Sequence, residues 1–175
     1  MKRLLLPVAS LSLIAAGFGA GIAVSATAAE DDAPAVTVSR QSLAEVAAPQ
    51  GAPKRTLGLS RVVVMPGAEL APHHHAGDQV AYITQGVLTY TVISGEATAM
   101  KGPGDTGTVV KKLHAGDSVK LRTGMWLIEH ENEVHQAANA GEIPIVIMIA
   151  TLARTGAPSA ILDDVTTVPP PADGS

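Results

Sequence analysis

The 175-residue chain contains no cysteine. No disulfide can form even where export would permit one, no thiol nucleophile is present, and no lipid can be carried on a cysteine. Stability has to come from packing. Aromatic residues are almost as scarce, at 2%. Beyond the N-terminal segment they are Tyr82, Tyr90 and Trp126 alone, so the core must be aliphatic and a base-stacking platform is disfavoured. Positive charge is in deficit, 12 Lys and Arg against 16 Asp and Glu, which argues against a nucleic-acid partner. The chain also lacks a G-x-S-x-G elbow and a phosphate loop, which removes hydrolase and kinase readings. No long amphipathic helical pattern interrupts it.

What is present begins with Met1-Lys2-Arg3 and a run without charge from Leu4 to Ala29. A basic start, an apolar stretch and the small-residue pattern Ala26-Thr27-Ala28 predict a signal peptide over residues 1–28, and a secreted or periplasmic protein. Removing Lys2 and Arg3 leaves 12 − 2 = 10 basic against 16 acidic residues, a formal charge of about −6. A membrane contact is expected only if that segment stays uncleaved, because the run is long enough to span a bilayer. Residues 29–54 are rich in Ala, Pro and acidic residues. They read as an arm, in which Ser42-Leu-Ala-Glu45 has the form of a capping box that would start one short helix. Residues 155–175, with Pro169 to Pro171 near the end, read as a flexible tail.

Between these ends, residues 55–154 form one domain of short strands. Leu57 to Met65 is β-branched and stops at Pro66-Gly67. Val87 to Ser94 alternates with apolar residues on both sides, so it can be buried on both faces. Thr108 to Leu113, Ser118 to Arg122, Met125 to Glu129, Val134 to Ala138 and Ile145 to Thr151 continue the series. Many short strands with Gly and Pro turns indicate an all-β sandwich or barrel. Gly102-Pro-Gly-Asp-Thr-Gly107 matches G-x-G-x-x-G by letter, but a proline inside it and Thr108-Val-Val110 after it make it a hairpin loop. His-Ala-Gly-Asp occurs twice, at His75 and at His114, and shared turn chemistry accounts for the repeat, with His114 exposed.

The chemistry is concentrated in two stretches. In the first, Gly67 to Gly86, His73 and His75 are two apart, so on a strand both imidazoles share one face and His74 points the other way. Ala76-Gly77-Asp78 has turn chemistry, and the alternating run that follows sets Gln79, Ala81 and Ile83 across a hairpin from the histidines, with Tyr82 turned out. The second stretch runs from Gly124 to Asn139 and contains His135. Trp126 within it is expected in the core. Glu129, His130, Glu131 and Glu133, ahead of His135, are the nearest acid and base candidates, and charged residues at a rim ordinarily face solvent.

Together the two stretches resemble the paired motifs of the cupin superfamily, G-x5-H-x-H-x3/4-E-x6-G and G-x5-P-x-G-x2-H-x3-N. Gly67, His73, His75 and Gly86 fit the first, with Gln79 where the family usually has glutamate. Gly124, His135 and Asn139 fit the second, with His130 and Asn132 replacing proline and glycine. The resemblance, which covers about Arg55 to Thr151, implies a double-stranded β-helix, the jelly-roll cupin barrel.

It further implies one divalent transition metal (Mn, Fe, Ni, Zn or Cu) on His73, His75 and His135, with Gln79 as a weaker or optional fourth ligand. Imidazole nitrogens suit several of these ions, so spacing alone does not choose among them. An amide oxygen carries no formal charge, so an ion held through Gln79 keeps more positive charge and is held less tightly. Cupins include dioxygenases, isomerases, decarboxylases and non-catalytic binders. Two readings therefore stand: an oxidoreductase of dioxygenase type acting on a small oxygen-bearing molecule, and a ligand-binding or sensing module without turnover. The resemblance also allows a homodimer.

Overall fold

The computed structural model describes residues 38–165. The expected signal peptide and Pro169 to Pro171 lie outside the described residues. Within them the chain is all-β: β1 (Val38–Ala47), β2 (Arg55–Val64), β3 (Glu69–His74), β4 (Gly77–Gln85), β5 (Val87–Ser94), β6 (Glu96–Lys101), β7 (Thr108–His114), β8 (Ser118–Arg122), β9 (Met125–Glu129), β10 (Val134–Ala138), β11 (Ile145–Arg154) and β12 (Ile161–Leu162). They form two antiparallel sheets, one in the order β1-β2-β11-β4-β9-β6-β7 and one in the order β12-β3-β10-β5-β8. This is a double-sheet jelly roll.

The alternation read from the sequence becomes the two faces of each sheet. In β4, Gln79, Ala81 and Ile83 are buried while Asp78, Val80 and Tyr82 are not. Val64, Ile83, Leu113, Leu121, Leu127 and Ile145 are fully buried at the centre, and Tyr90 is the aromatic among them. Each such aliphatic side chain contributes about 1.5–3 kcal/mol by leaving water. β5 is buried on both faces over Leu88 to Val92, as its apolar content on both sides predicts.

Four local expectations need correction. The capping box at Ser42 starts no helix: β1 runs antiparallel along β2, with a bulge between Ser42 and Ala44. A cap is worth about 1 kcal/mol, and pairing along a whole sheet edge outweighs it. Trp126 does not enter the core. Its parity on β9 is opposite to that of buried Leu127, and its indole N–H donates to the Gly102 carbonyl at 2.9 Å, beneath the loop at 102–107. The segment after Thr155 is also anchored, because β12 pairs with β3 opposite His73 and His74.

Finally, β3 and β4 do not form a hairpin. They lie in different sheets, so the turn after His75 carries the chain from one layer of the barrel to the other. Gly77, where the chain enters β4, lies tight against the neighbouring strand β11. A Cβ there would stand 2.2 Å from the Leu152 carbonyl oxygen and 2.5 Å from the Ala153 Cα, both backbone atoms that cannot easily give way. Gly77→Ala is therefore expected to destabilise the fold by about 1–3 kcal/mol, seen as a lower urea midpoint. An unchanged midpoint would show that β4 and β11 are not in such close contact at this point.

Candidate functional site

The strands bring His73, His75 and His135 together. β10 pairs with β3 so that His135 stands opposite His73, and His75 follows directly after β3. The ring centroids are 4.4 Å apart for His73 and His135, 5.0 Å for His73 and His75, and 5.2 Å for His75 and His135. One ring nitrogen from each lies within 4.8 Å of the others, and all three residues are buried. The trio is the cluster of metal-ligand type among the described residues. His74 points elsewhere and pairs with Asp163 at 2.7 Å. His114 is exposed, as expected, and takes no part.

The outer nitrogens of two rings are already engaged. His73 Nδ1 is 2.7 Å from the Ala71 carbonyl, and His75 Nδ1 is 2.7 Å from the Ser159 carbonyl. A carbonyl only accepts, so each Nδ1 carries the hydrogen and each Nε2 keeps a free lone pair. The His135 ring stacks on Tyr90, with centroids 4.8 Å apart, and its Nδ1 lies 3.7 Å from Glu133 Oε1. Burial lowers the pKa of all three rings, and repulsion from the neighbouring imidazoles lowers those of His75, to about 4, and His135 further. All three are neutral at pH 7, the form in which imidazole binds metals.

The opposite sheet presents a row of polar groups. Gln79 stands opposite Glu129 across β4 and β9, and opposite Thr151 across β4 and β11. Gln79 is inward, as its parity predicts, and its amide is engaged by its neighbours on the same sheet. Its amide nitrogen donates to Glu129 Oε2 at 3.1 Å, and its amide oxygen accepts from the Thr151 hydroxyl at 2.8 Å. Which amide atom is which follows from this network. Glu129 Oε2 lies 3.7 Å from His75 Nε2, and Glu129 Oε1 lies 3.8 Å from His135 Nε2.

The expectation that the acids before His135 face solvent fails for two of them. Glu129 is 6% exposed and Glu133 is 2% exposed. Burial, with repulsion from Glu133, pushes the Glu129 carboxyl up to about 8. Burial raises Glu133 to about 7, against the Tyr90 hydroxyl that donates to it at 2.8 Å. Glu131 instead pairs with Arg55 at 2.9 Å and Arg154 at 3.3 Å outside the barrel, and His130 is exposed. Asn132 has a φ of 66°, so it adopts the left-handed turn for which the motif carries glycine. Asn139 is structural: its amide donates to the Val64 and Ile143 carbonyls, each at 2.9 Å.

Beside the rings is a cavity of about 220 Å³, walled by Val62, Leu88, Leu121, Leu127, Ile147 and other aliphatic residues. Arg40 from β1 also lines it. The sequence reading missed this residue because it lay in the presumed arm. Arg40, His75 and Ser159 also line an adjoining, more open pocket of about 520 Å³.

Two antiparallel sheets with both motifs delivering their histidines to one interior point complete the pattern. The fold is a cupin jelly roll. No family model matches the chain, and neither does a curated protein. Among solved structures it is similar to a cupin superfamily protein from Desulfitobacterium hafniense, with 16% identity, 66% of this chain and 77% of that one covered, and a TM-score of 0.45. It is likewise similar to the Cnp3 cupin domain from Schizosaccharomyces pombe, with 13% identity, 68% and 66% covered, and a TM-score of 0.48. An oxalate decarboxylase from Lactobacillus farciminis shows 12% identity, 72% and 31% covered, and a TM-score of 0.46. Similarity at this level concerns the fold alone.

The buried titratable groups make the stability of the metal-free protein depend on pH in both directions. Unfolded histidines bind protons below about 6.5, and folded His75 refuses one until about 4, so stability falls as pH drops through that window. Glu129 and Glu133 act oppositely: folded they keep protons to about 8 and 7, unfolded they lose them near 4.5, so stability falls as pH rises between those values. The melting temperature of the chelator-treated protein should therefore pass through a maximum, and Glu129→Gln, by removing a loss that runs from about 4.5 to about 8, should flatten the alkaline side and steepen the acid side above pH 4.5. An alkaline side already flat in the unsubstituted protein would contradict the burial of Glu129.

Proposed function

We propose that the chain is an exported, single-domain cupin that holds one divalent transition metal on His73, His75 and His135 and acts as an oxidoreductase on a small oxygen-bearing molecule. The observation that carries this reading is the convergence of three buried, neutral imidazoles beside an apolar cavity. The residues fit such an ion: His73 and His75 each have a free Nε2 lone pair and an Nδ1–H fixed to a carbonyl, the way metal-binding histidines are held, and the His135 ring is placed by stacking on Tyr90. Export rests on the basic and apolar N-terminal sequence.

The bound ion would supply Lewis acidity and, for Fe, Mn, Ni or Cu, access to electron transfer. The chain's own residues do the rest. The aliphatic walls exclude water and choose a compact substrate, since about 220 Å³ is below the roughly 300–1,000 Å³ of ordinary ligand pockets. Arg40 places a permanent cation on the cavity lining, where it would orient an anionic or carbonyl oxygen. Tyr90 holds the His135 ring by stacking.

Mass spectrometry of the purified protein should find close to one transition-metal ion per chain, and His75→Ala should lose most of it. Retention of the metal by that variant would refute the ligand assignment. Oxygen uptake should then appear with catechols or 1,3-diketones ahead of the bulkier flavonols, which would have to extend into the adjoining pocket. Metal retained but silence across the panel would assign the barrel to ligand binding without turnover.

A further inference from the structure

Position 79 has an amide where a carboxylate would complete a three-histidine centre, yet a buried carboxylate stands one strand away. Gln79 and Glu129 are direct partners across β4 and β9, with both side chains inward. Residues paired in this way have Cβ atoms about 4.5–5.5 Å apart, so either side chain reaches the same interior volume. We propose that Glu129 is the fourth protein ligand of this centre, and that Gln79 is not a ligand but the residue that positions Glu129. The inference rests on the three-histidine reading above.

Three observations support it. First, the two Glu129 oxygens lie 3.7 Å and 3.8 Å from the Nε2 atoms of His75 and His135. These separations are too long for hydrogen bonds. They are close to the roughly 3–3.5 Å between two donor atoms that share one ion at bonds of about 2.1 Å. Second, Glu129 is 6% exposed and lines the same cavity as His73, His75 and His135, so its carboxyl group is delivered to the ring cluster and not to solvent.

Third, the amide of Gln79 is committed on both sides. Its oxygen accepts from Thr151, and its nitrogen donates to Glu129 Oε2. Turning its oxygen toward the rings would break both bonds and leave Glu129 without this donor. A ligating carboxylate is commonly aimed by such an outer hydrogen bond. The row Glu129, Gln79, Thr151 thus works as a relay of orientation across three adjacent strands, with the acid at the reacting end.

Cobalt(II) tests the assignment, because its visible absorption reports the ligand set and its affinity can be read by competition with a chelating dye. Glu129→Gln should weaken Co(II) binding by at least about tenfold and change the absorption bands. Gln79→Ala should weaken it less and keep the wild-type bands. The exchange Gln79→Glu with Glu129→Gln should restore binding to near the wild-type level, since the carboxylate only changes strand. Melting curves would identify a variant that fails to fold. Glu129→Asp, which keeps the charge but shortens the reach, would then stand in for Glu129→Gln, with weakened binding and shifted bands expected.

The proposal is overturned if Glu129→Gln, or Glu129→Asp in its place, binds Co(II) with unchanged affinity and spectrum while His135→Ala does not bind. It is equally overturned if Gln79→Ala alters the bands and Glu129→Gln does not, or if the double exchange fails to recover. Wild-type-like binding by His135→Ala would refute the three-histidine reading itself, a distinguishable result.

Discussion

Three imidazoles must be kept uncharged and close together inside a barrel of aliphatic side chains, and much of the structure answers to that constraint. Burial alone holds them neutral, and crowding strengthens the effect, since each ring would repel a proton on the next. Such a cluster exposed to water would be an ordinary set of partly protonated histidines. The aliphatic core is therefore part of the site's chemistry as well as the source of its stability. With no disulfide available and Tyr90 the one fully buried aromatic among the described residues, the core depends on close packing of Val, Leu and Ile between two layers.

The two sheets divide the work. The five-stranded sheet supplies His73 and His135 as cross-strand partners, and His75 just beyond β3. The seven-stranded sheet supplies the acceptors and donors opposite them, on Glu129, Gln79 and Thr151. The crossing at Gly77 joins the layers within the first motif itself. A one-residue slip in any of these strands would turn its side chain out of the barrel, so the register of the sheets specifies the site. The segments at either end of the barrel contribute as well, because β1 brings Arg40 to the cavity and the segment before β12 brings the Ser159 carbonyl to His75.

The strands that were legible in the sequence are those whose side chains are large and strictly alternating or apolar throughout. β5, β8, β9 and β10 begin and end where the pattern places them. β6 was overlooked because its inward residues, Ala97 and Ala99, are small and carry little hydrophobic signal although they are almost completely buried. β1 was masked by a local capping pattern that sheet pairing overrode, and with it went Arg40. His73 and His75 could be read from spacing, since strand periodicity dictates which side chains share a face, whereas His135 was joined to them by the resemblance to the paired cupin motifs. Glu129 was also within reach: Met125, Leu127 and Glu129 are two apart on one strand, so a buried Leu127 requires an inward Glu129. What obscured it was the habit of assigning a charged residue beside a turn to solvent. The pairing of Gln79 with Glu129 is a relation between strands, and one strand's pattern does not contain it.

The account depends most on the claim that a single ion is held where the three rings meet. Diffraction from crystals grown with cobalt, recorded on both sides of its absorption edge, tests that directly. The predicted result is one dominant anomalous peak inside the barrel, about 2.1 Å from a ring nitrogen of each of His73, His75 and His135. An empty interior, or peaks confined to exposed histidines such as His114 and His130, would contradict it.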